Sequence, residues 1–422
     1  MKIAYLTNLF PAPSERYVAD EITELRRRGV EVLPCSVRRP AQPVDADLKS
    51  LAEETSYVQT IRLSVALRAT WFCLINLWRL RDLLQRVLLQ GSEDPLRRVR
   101  TLAHTWLGAY LAALIADENV EHIHVHHGYF GSWVAMIAAR LLRVTFSMTL
   151  HGSDLLLHPS YLDTKLNQCS LCVTISDFNR RRLLANYPCL DPSKIVVRRM
   201  GVDCADSMIP VSRAKSYSPF ALLSVGRLHP TKDHKFLLLA CRLLKDNGTP
   251  FICRIAGEGE ERPSLEKMIA RLGLANEVKL LGHIPHQDLP NYYEAADLVV
   301  LTSRSEGIPL VLMEAMARRI LVLAPAITGI PELIIHGHTG FLYHAGSLED
   351  FTSQVDQIRR MHFALDAVRQ AARKHVLEHF NREINLSAFC DLMIRHVAAS
   401  PSKPRQIPMP VGANANEDLV LQ

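Results

Sequence analysis

The chain has 422 residues, of which 48% are hydrophobic and 22% are charged, and its formal net charge is +6. This length and composition suffice for two ordinary hydrophobic cores and exclude a fibrous or intrinsically disordered protein. The first 200 residues hold 25 Lys and Arg against 19 Asp and Glu, so the positive surplus lies in the N-terminal half. Arginine clusters at 26–28, 97–100 and 180–182 favour either solvated helix faces or contact with anionic lipid. Nucleic acid is not an expected partner, because no recognised binding module accompanies the charge.

The cysteines and the N-terminus indicate the compartment. Nine cysteines, an odd number scattered from Cys35 to Cys390, are typical of a reducing environment rather than of a disulfide framework. Cys169 and Cys172 form a C-x-x-C that leads directly into a strand-like run, so we predict structural packing rather than a zinc or redox role. The opening MKIAYLTNLFP resembles a short strand and a turn, not a signal peptide. We therefore expect a cytoplasmic protein.

Apolar runs alternate with helical patterns along the chain, which predicts an α/β fold with parallel sheets. The predicted N-terminal strands are KIAYLT, VEVLPCSV, HIHVHH, FSMTLH, LCVTIS and KIVVRR. The predicted C-terminal strands are FALLSV, FICRIA, VKLLG, LVVLTS, ILVLA and GFLY. We expect an N-terminal domain over 1–202, a linker over 203–219, a C-terminal domain over 220–381, a last helix over 382–399 and a disordered tail over 400–422.

Residues 61–90 form an apolar stretch that arginines interrupt. No part of it offers the roughly 20 nearly uncharged residues that a bilayer span needs, so we do not predict a transmembrane helix. Trp71, Phe72 and Trp78, together with leucines and arginines, are typical of an amphipathic helix lying on a membrane surface. A helix that covers the N-terminal sheet is the alternative. Both interpretations hold if one face packs and another contacts lipid.

His122, His124 and His126 alternate along one predicted strand, so their side chains share one face of the sheet. Such a set suggests a metal site, but the sequence places no carboxylate or thiol to complete the ligands. We therefore predict no metal here. His126 lies nearest the carboxyl end of the strand.

Glu306 and Glu314 are separated by seven residues in TSRSEGIPLVLMEAMARR. The run LVVL at 298–301 predicts a buried strand, and Pro309 suits the first turn of a helix, so Glu306 lies in the connecting loop and Glu314 on the helix. At the carboxyl edge of a parallel sheet, helix N–H groups bind phosphate oxygens and carboxylates accept hydrogen bonds from sugar hydroxyls. The pair therefore indicates a nucleotide-sugar site, with a solvated helix face as the alternative.

The segment SRSEGIPLVLMEAMA closely resembles the donor-site signature of the family 4 retaining glycosyltransferases. The family order continues in FALLSVGRLHPTKD, FICRIAGEGEERPSL, VKLLGHIPHQDLPNYYEAADLVVLTS and TGIPELIIHGHTGFLY, with HGSD at 151–154 and MGVD at 200–203. The opening FPAPSERYVADEITELRRRG resembles the subgroup that builds bacterial exopolysaccharides of the colanic acid type. The resemblance implies the GT-B fold, two doubly wound Rossmann-like domains facing a cleft, with the last helix returning to the N-terminal domain.

The resemblance also implies an activity: a hexosyltransferase-type enzyme that moves a sugar from a nucleotide-sugar to a glycan or lipid-linked acceptor, with retention of configuration and with neither metal nor cofactor. Arg227 and Lys232 would bind the diphosphate, where preorganised cations stabilise the charge of the leaving group. The implied catalytic residues are His151 and Glu306. The implied donor-binding residues are Arg227, Lys232, Gly257, Gly307, Ile308, Pro309, Leu310 and Glu314. The acceptor-side candidates are Ser14, His126 and Asp154.

The chain departs from the family pattern in three loops. Ser14 and Glu15 stand where many members have glycines, Arg319 follows the EAMA segment where glycine is frequent, and Thr328 replaces the first glycine of a pair. A non-catalytic scaffold that binds a nucleotide-sugar is an alternative with the same fold. A nicotinamide dehydrogenase is disfavoured, because no G-x-G-x-x-G follows the first strand of either half.

Overall fold

A computed structural model of the chain describes residues 1–12, 15–40, 48–90, 93–156, 160–204 and 219–400. The chain forms two compact units. The first consists of Met1–Ile175, Arg180–Arg198 and the residues from Leu386 onward, and the second of Ser176–Asn179 and Arg199–Asn385. Most of the predicted linker and nearly all of the predicted tail lie outside the described residues.

The first unit contains a parallel sheet of seven strands in the order β3-β2-β1-β4-β5-β6-β7. The central strands are rich in buried apolar residues, as expected of a parallel sheet covered on both faces. The strands are β1 (Lys2–Leu9), β2 (Glu31–Arg38), β3 (Ser56–Tyr57), β4 (His122–His126), β5 (Thr145–Leu150), β6 (Leu171–Thr174) and β7 (Ile195–Val197).

Helices flank this sheet, and two of them pack unusually closely. Gly108 lies where an added Cβ would come within 2.5 Å of the Ile137 side chain, so glycine permits the close approach of α5 and α6. The helices are α1 (Arg16–Arg27), α2 (Lys49–Glu54), α3 (Leu63–Ile75), α4 (Leu77–Leu88), α5 (Pro95–Leu114), α6 (Phe130–Leu142), α7 (Ser153–Leu156), α8 (Leu162–Gln168) and α9 (Asp177–Asn186).

The second unit contains a parallel sheet of six strands in the order β10-β9-β8-β11-β12-β13. Its strands are β8 (Phe220–Val225), β9 (Phe251–Ala256), β10 (Val278–Gly282), β11 (Leu298–Val300), β12 (Leu321–Pro325) and β13 (Phe341–Tyr343). Its helices are α10 (His234–Asp246), α11 (Arg262–Arg271), α12 (Leu289–Ala295), α13 (Leu310–Ala317), α14 (Ile330–Leu333), α15 (Leu348–Met361) and α16 (Asp366–His379). Two parallel sheets confirm the predicted α/β class.

The last helix, α17 (Arg382–Ala399), belongs to the first unit from Leu386 onward. Phe389, Cys390 and Met393 are buried in one apolar cluster with Tyr5 of β1 and Ile22 of α1. The helix therefore completes the core on one face of the seven-stranded sheet.

The apolar segment 61–90 folds as α3 and α4, which meet at Asn76. Phe72 of α3 and Leu83 of α4 are buried, whereas Trp71 and Trp78 are exposed. The side chain of Phe72 therefore lies on the packed face of the segment, and those of Trp71 and Trp78 lie on its exposed face. Among the helices of the described ranges, none combines the length and hydropathy that a bilayer span requires.

Candidate active site

Two groups of polar residues follow the carboxyl ends of the strands, one in each unit. In the second unit, Lys232 Nζ lies 2.5 Å from Glu306 Oε1. Backbone contacts between their loops hold the pair: Thr302 Oγ1 donates to the Lys232 carbonyl at 3.0 Å, and the Arg304 N–H donates to the Thr231 carbonyl at 2.8 Å. The side chains are only 23% and 12% exposed, so the charges interact more strongly than a solvated surface pair.

Glu314 lies on α13, which begins at Leu310 with Pro309 as its N-cap residue. The buried Tyr293 hydroxyl donates to Glu314 Oε2 at 2.7 Å, and His286 Nε2 lies 3.4 Å from Oε1. Burial, and then the neighbouring carboxylate, raises the pKa of Tyr293. Tyr293 thus orients one carboxylate oxygen, while the other keeps lone-pair capacity for a ligand hydroxyl. Sequence reasoning missed both partners of Glu314, because they come from a different loop and helix.

Gly257 occupies a backbone conformation that only glycine adopts without strain here. Its φ is +147°, and an added Cβ would lie 1.9 Å from the carbonyl oxygen of Gly226. The loops after β8 and β9 are also joined by the Leu228 N–H, which donates to the Glu258 carbonyl at 2.8 Å. The glycine therefore serves the close approach of two loops, and a donor contact of Gly257 stays a prediction.

The segment from Gly307 to Leu310 connects β11 to α13. Ile308 and Pro309 are buried, so only backbone atoms of these two residues are suited to meet a ligand. The first N–H groups of a helix have no intrahelical acceptor, which makes the start of α13 suitable for a phosphate oxygen. The neighbouring Gly329 packs against the Gly307 carbonyl, where an added Cβ would come within 2.4 Å.

Two of the departures from the family pattern occupy left-handed backbone positions. Arg319 has φ +57° and Thr328 has φ +48°. Glycine adopts this conformation without the penalty that an L side chain meets. At both positions the chain therefore holds, at some conformational cost, a backbone conformation that glycine adopts freely.

Arg227 is separated from the end of β8 by Gly226, and its side chain is exposed. Across the described ranges, its guanidinium makes no ion pair, in contrast to the paired Lys232. An exposed guanidinium in the loop that also carries Lys232 is suited to a phosphate.

In the first unit, Asp154 organises the loop that carries His151. Asp154 is fully buried, and its carboxylate accepts the backbone N–H groups of Gly128, His151 and Gly152 at 2.8–3.2 Å. Nearby, Lys165 Nζ donates to the Gly128 carbonyl at 2.6 Å, and burial lowers the pKa of Lys165 to about 7 against the opposing effect of Asp154. A direct acceptor contact of Asp154 does not fit this burial.

His126 is also fully buried, so the predicted direct contact with an acceptor does not fit its environment either. Its Nδ1 lies 3.1 Å from His151 Nε2, and its Nε2 lies 3.0 Å from Glu21 Oε2. The structure thus joins His126 to the predicted catalytic His151. Ser14, the remaining acceptor-side candidate, lies outside the described residues.

Glu21 supplies the carboxylate that the sequence did not reveal beside the histidines of β4. Its carboxylate and ring nitrogens of His124 and His126 lie within 4.8 Å of one another, so a carboxylate does complete a set that could hold a metal ion. Both nitrogens of His124 already contact hydroxyls, those of Ser147 and Thr149. An ion would have to replace hydrogen bonds that the cluster makes without it. The absence of a metal therefore stays a prediction.

Residues 14–206 match the model described as Glycosyltransferase Family 4, and residues 209–375 match that described as Glycosyl transferases group 1. The chain therefore combines a family 4 glycosyltransferase domain with a group 1 glycosyl transferase domain.

A sequence relative and solved structures of the same fold match the chain over nearly its whole length. The amylovoran biosynthesis glycosyltransferase AmsK of Erwinia amylovora is 28% identical, covering 94% of this chain and 100% of AmsK. The Anabaena protein HepE, solved in complex with UDP, has a TM-score of 0.68 at 19% identity, over 94% of this chain and 100% of HepE. Sucrose-phosphate synthase of Thermosynechococcus elongatus has a TM-score of 0.73 at 17% identity, over 95% and 100%. The predicted GT-B glycosyltransferase fold is confirmed.

Proposed function

We propose that this glycosyltransferase moves a hexose from a nucleotide-sugar to a hydroxyl of a glycan or lipid-linked acceptor in bacterial surface polysaccharide synthesis, with retention of anomeric configuration. The observation that carries the proposal is the half-buried Lys232–Glu306 pair at the carboxyl edge of the six-stranded sheet. It combines a cation for the diphosphate with a carboxylate for the sugar. Glu314, oriented by Tyr293, accepts hydrogen bonds from the ribose hydroxyls.

The proposed chemistry takes place on one face of the sugar. The bond from the anomeric carbon to the diphosphate oxygen breaks, and a bond to the acceptor oxygen forms on the same face. The acceptor proton passes to the departing diphosphate. Arg227 and Lys232 stabilise the charge on the leaving group, Glu306 stabilises the positive character of the sugar, and His151 contacts a donor-sugar group. No metal or cofactor takes part.

The relatives support the choice of substrates. AmsK is named for amylovoran biosynthesis, and a HepE structure contains UDP-glucose. We infer a nucleotide-sugar donor and a polysaccharide intermediate as acceptor. A cytoplasmic location, with attachment at the inner face of the membrane, is part of the proposal.

A donor panel with a chelator arm tests the activity. Purified protein is screened for thermal stabilisation by UDP-glucose, UDP-galactose, UDP-N-acetylglucosamine and GDP-mannose, since a ligand at 100 times its Kd stabilises by about 2.7 kcal/mol. The best donor is then assayed for hydrolysis and for transfer to lipid extracts, with and without EDTA. We expect one donor to stabilise, and turnover to survive EDTA because Arg227 and Lys232 supply the positive charge.

Two results contradict the proposal. Donor binding without any hydrolysis or transfer favours the non-catalytic scaffold. Loss of turnover with EDTA and recovery with manganese overturns metal independence, and directs attention to the cluster of Glu21, His124 and His126.

A second surface supports a lipid-side acceptor. We define the apolar face as the exposed large apolar residues of α3, α4, the start of α5 and the adjoining turns. Among them, Trp78 is 70% exposed and Leu67 is 65% exposed. A groove of about 410 Å³ on α4 lies between Trp78, Leu88 and Leu89, with Arg81 at its margin. The members are Ile61, Leu63, Leu67, Trp71, Leu74, Ile75, Leu77, Trp78, Leu88, Leu89, Leu96 and Val99.

The charges around the apolar face suit anionic lipid. Arg62, Arg81 and Arg100 are exposed around it, and Arg79 stacks its guanidinium 4.8 Å from the Trp78 ring centroid. By contrast, the arginines of the predicted basic cluster at 26–28 form ion pairs with Glu24, Glu54 and Asp391. Exposed apolar and aromatic residues rimmed by arginine are typical of an interfacial membrane contact.

Vesicle flotation tests this contact. We expect binding to phosphatidylglycerol-containing vesicles that weakens at high salt, and little binding to neutral vesicles. Leu67→Glu with Trp78→Glu should reduce binding on the order of 10-fold or more, because each buried apolar side chain contributes about 2 kcal/mol. Leu239→Glu, at an exposed apolar position of α10 in the second unit, is the matched control. Equal binding of the parent to neutral and anionic vesicles, or equal loss in the control, contradicts the membrane contact.

A further inference from the structure

Three hydrogen bonds connect Tyr5, Glu21, His126 and His151 at the carboxyl edge of the seven-stranded sheet. The Tyr5 hydroxyl donates to Glu21 Oε2 at 2.5 Å, and the same oxygen lies 3.0 Å from His126 Nε2. His126 Nδ1 lies 3.1 Å from His151 Nε2. Tyr5 and His126 are almost wholly buried, and the Glu21 side chain is 12% exposed. Water therefore has little access to the connected atoms.

The direction of these hydrogen bonds follows from the carboxylate. An ionised carboxylate only accepts, so His126 Nε2 carries the proton in its contact with Glu21. In neutral His126 the other nitrogen, Nδ1, is then an acceptor. His151 Nε2 must therefore donate to it. In a neutral imidazole this leaves His151 Nδ1 without a proton and able only to accept.

Other contacts keep the His151 ring neutral and in place. Burial, and then the neighbouring His127, His126 and His124, lowers the pKa of His151. The rings of His127 and Tyr17 pack against it with centroid distances of 4.5 and 4.9 Å. The backbone N–H of His151 is bound by Asp154. The ring therefore has a fixed position in which its tautomer decides what it can bind.

We propose that Glu21 and His126 are positioning residues that hold His151 as the Nε2–H tautomer, so that His151 binds a hydroxyl of the donor sugar through Nδ1 as acceptor. This inference rests on the proposed function for the role of His151 in the reaction. It limits the partner of His151 to a group that donates a hydrogen bond. An accepting nitrogen binds a hydroxyl group and not an oxygen of the leaving diphosphate. It also gives a task to two residues that do not themselves touch the substrate.

The tautomer is measured directly by NMR of protein labelled with ¹⁵N-histidine, at about pH 8, where an unperturbed imidazole is neutral. His151→Gln identifies the His151 signals by their disappearance. In the parent protein we expect an unprotonated Nδ1 and a protonated Nε2. Glu21→Leu removes the acceptor of His126 Nε2, and His126→Phe removes the acceptor of His151 Nε2. In both variants we expect a mixture of tautomers. A parent His151 protonated on Nδ1, or unchanged signals in both variants, overturns the inference.

Kinetics separate positioning from a general effect on folding. His126→Phe should lower kcat on the order of 10²-fold with little change in donor KM, since misplacing a catalytic contact costs about that much. Glu21→Leu should lower kcat similarly. Glu21→Gln keeps an acceptor oxygen and should therefore retain most of the parental kcat. His122→Phe is the matched control, because His122 is buried on the same face of β4 and its ring nitrogens contact the hydroxyls of Thr145 and Ser147 rather than Glu21 or His151.

The positioning role is overturned if His126→Phe and His122→Phe lower kcat equally while Glu21→Leu keeps the parental kcat. Failure of the proposed function has a different signature. In that case His151→Gln itself leaves kcat unchanged, while the NMR measurement still decides the tautomer.

Discussion

Glu306→Gln is expected to lower kcat on the order of 10²-fold, with a smaller change in donor KM. The proposed partner of Glu306 is the transferring sugar, which gains positive character in the transition state, so its charge contributes more there than in the bound substrate. An electrostatic contribution of about 3 kcal/mol corresponds to this loss. Steady-state kinetics at varied donor concentration measure it, with folding checked by circular dichroism.

Glu314→Gln is the matched comparison, because it makes the same chemical change eight residues away. The ribose is chemically unchanged during transfer, so this variant should raise donor KM and leave kcat within a few-fold of the parent. Tyr293→Phe, which removes the hydroxyl that orients Glu314, should also raise donor KM, but by a smaller factor. If Glu306→Gln changes only KM, or neither glutamine variant affects turnover or binding, the assigned roles are wrong.

Lys232→Met is expected to lower kcat/KM by about 10²- to 10³-fold, the range found when one preorganised group that stabilises developing charge is removed. The diphosphate gains negative charge as the glycosidic bond breaks, and methionine keeps the side-chain length without the ammonium. Lys235→Met is the control, since Lys235 is an exposed neighbour paired with Glu261. It should retain the parental kcat/KM.

A double variant distinguishes catalysis from a salt bridge that only stabilises the fold. If Lys232 and Glu306 both contact the donor, Lys232→Met with Glu306→Gln should be slower than either single variant. If their 2.5 Å ion pair only stabilises the fold, the double variant should lose no more activity than either single variant. The reason is that removing both partners leaves no uncompensated charge. That outcome would contradict the roles proposed for both residues.

The parallel strands could be predicted from the sequence because each is a short apolar run between turn residues. The twelve predicted strands occur at the expected places in the two sheets. The strand that was missed, β3, has only Ser56 and Tyr57 at the edge of the first sheet. Two residues carry too little periodicity to be recognised. The break at Asn76, which divides the 61–90 segment into two helices, was also not predicted.

The placement of Glu306 in a loop and of Glu314 on a helix could be predicted from the sequence, since both lie on one continuous stretch with a fixed strand-to-helix geometry. Their partners could not. Lys232 reaches Glu306 because hydrogen bonds to the carbonyls of Thr231 and Lys232 join two loops about 70 residues apart in sequence. Tyr293 reaches Glu314 because α12 lies beside α13 on the folded sheet, a neighbour relation that local pattern does not encode.

By itself, the sequence determined the α/β class, the two parallel sheets, the resemblance to glycosyltransferases and the positions of the strand ends, because all of these depend on local apolar periodicity and short continuous motifs. Only the tertiary structure decided how the polar groups are used. It buried His126 and Asp154, which we had expected to contact an acceptor, and it placed Glu21 of α1 against the β4 histidines. The physical reason is that burial and hydrogen-bond partners arise from contacts between segments distant in sequence, and these decide whether a polar side chain binds a ligand or positions another residue.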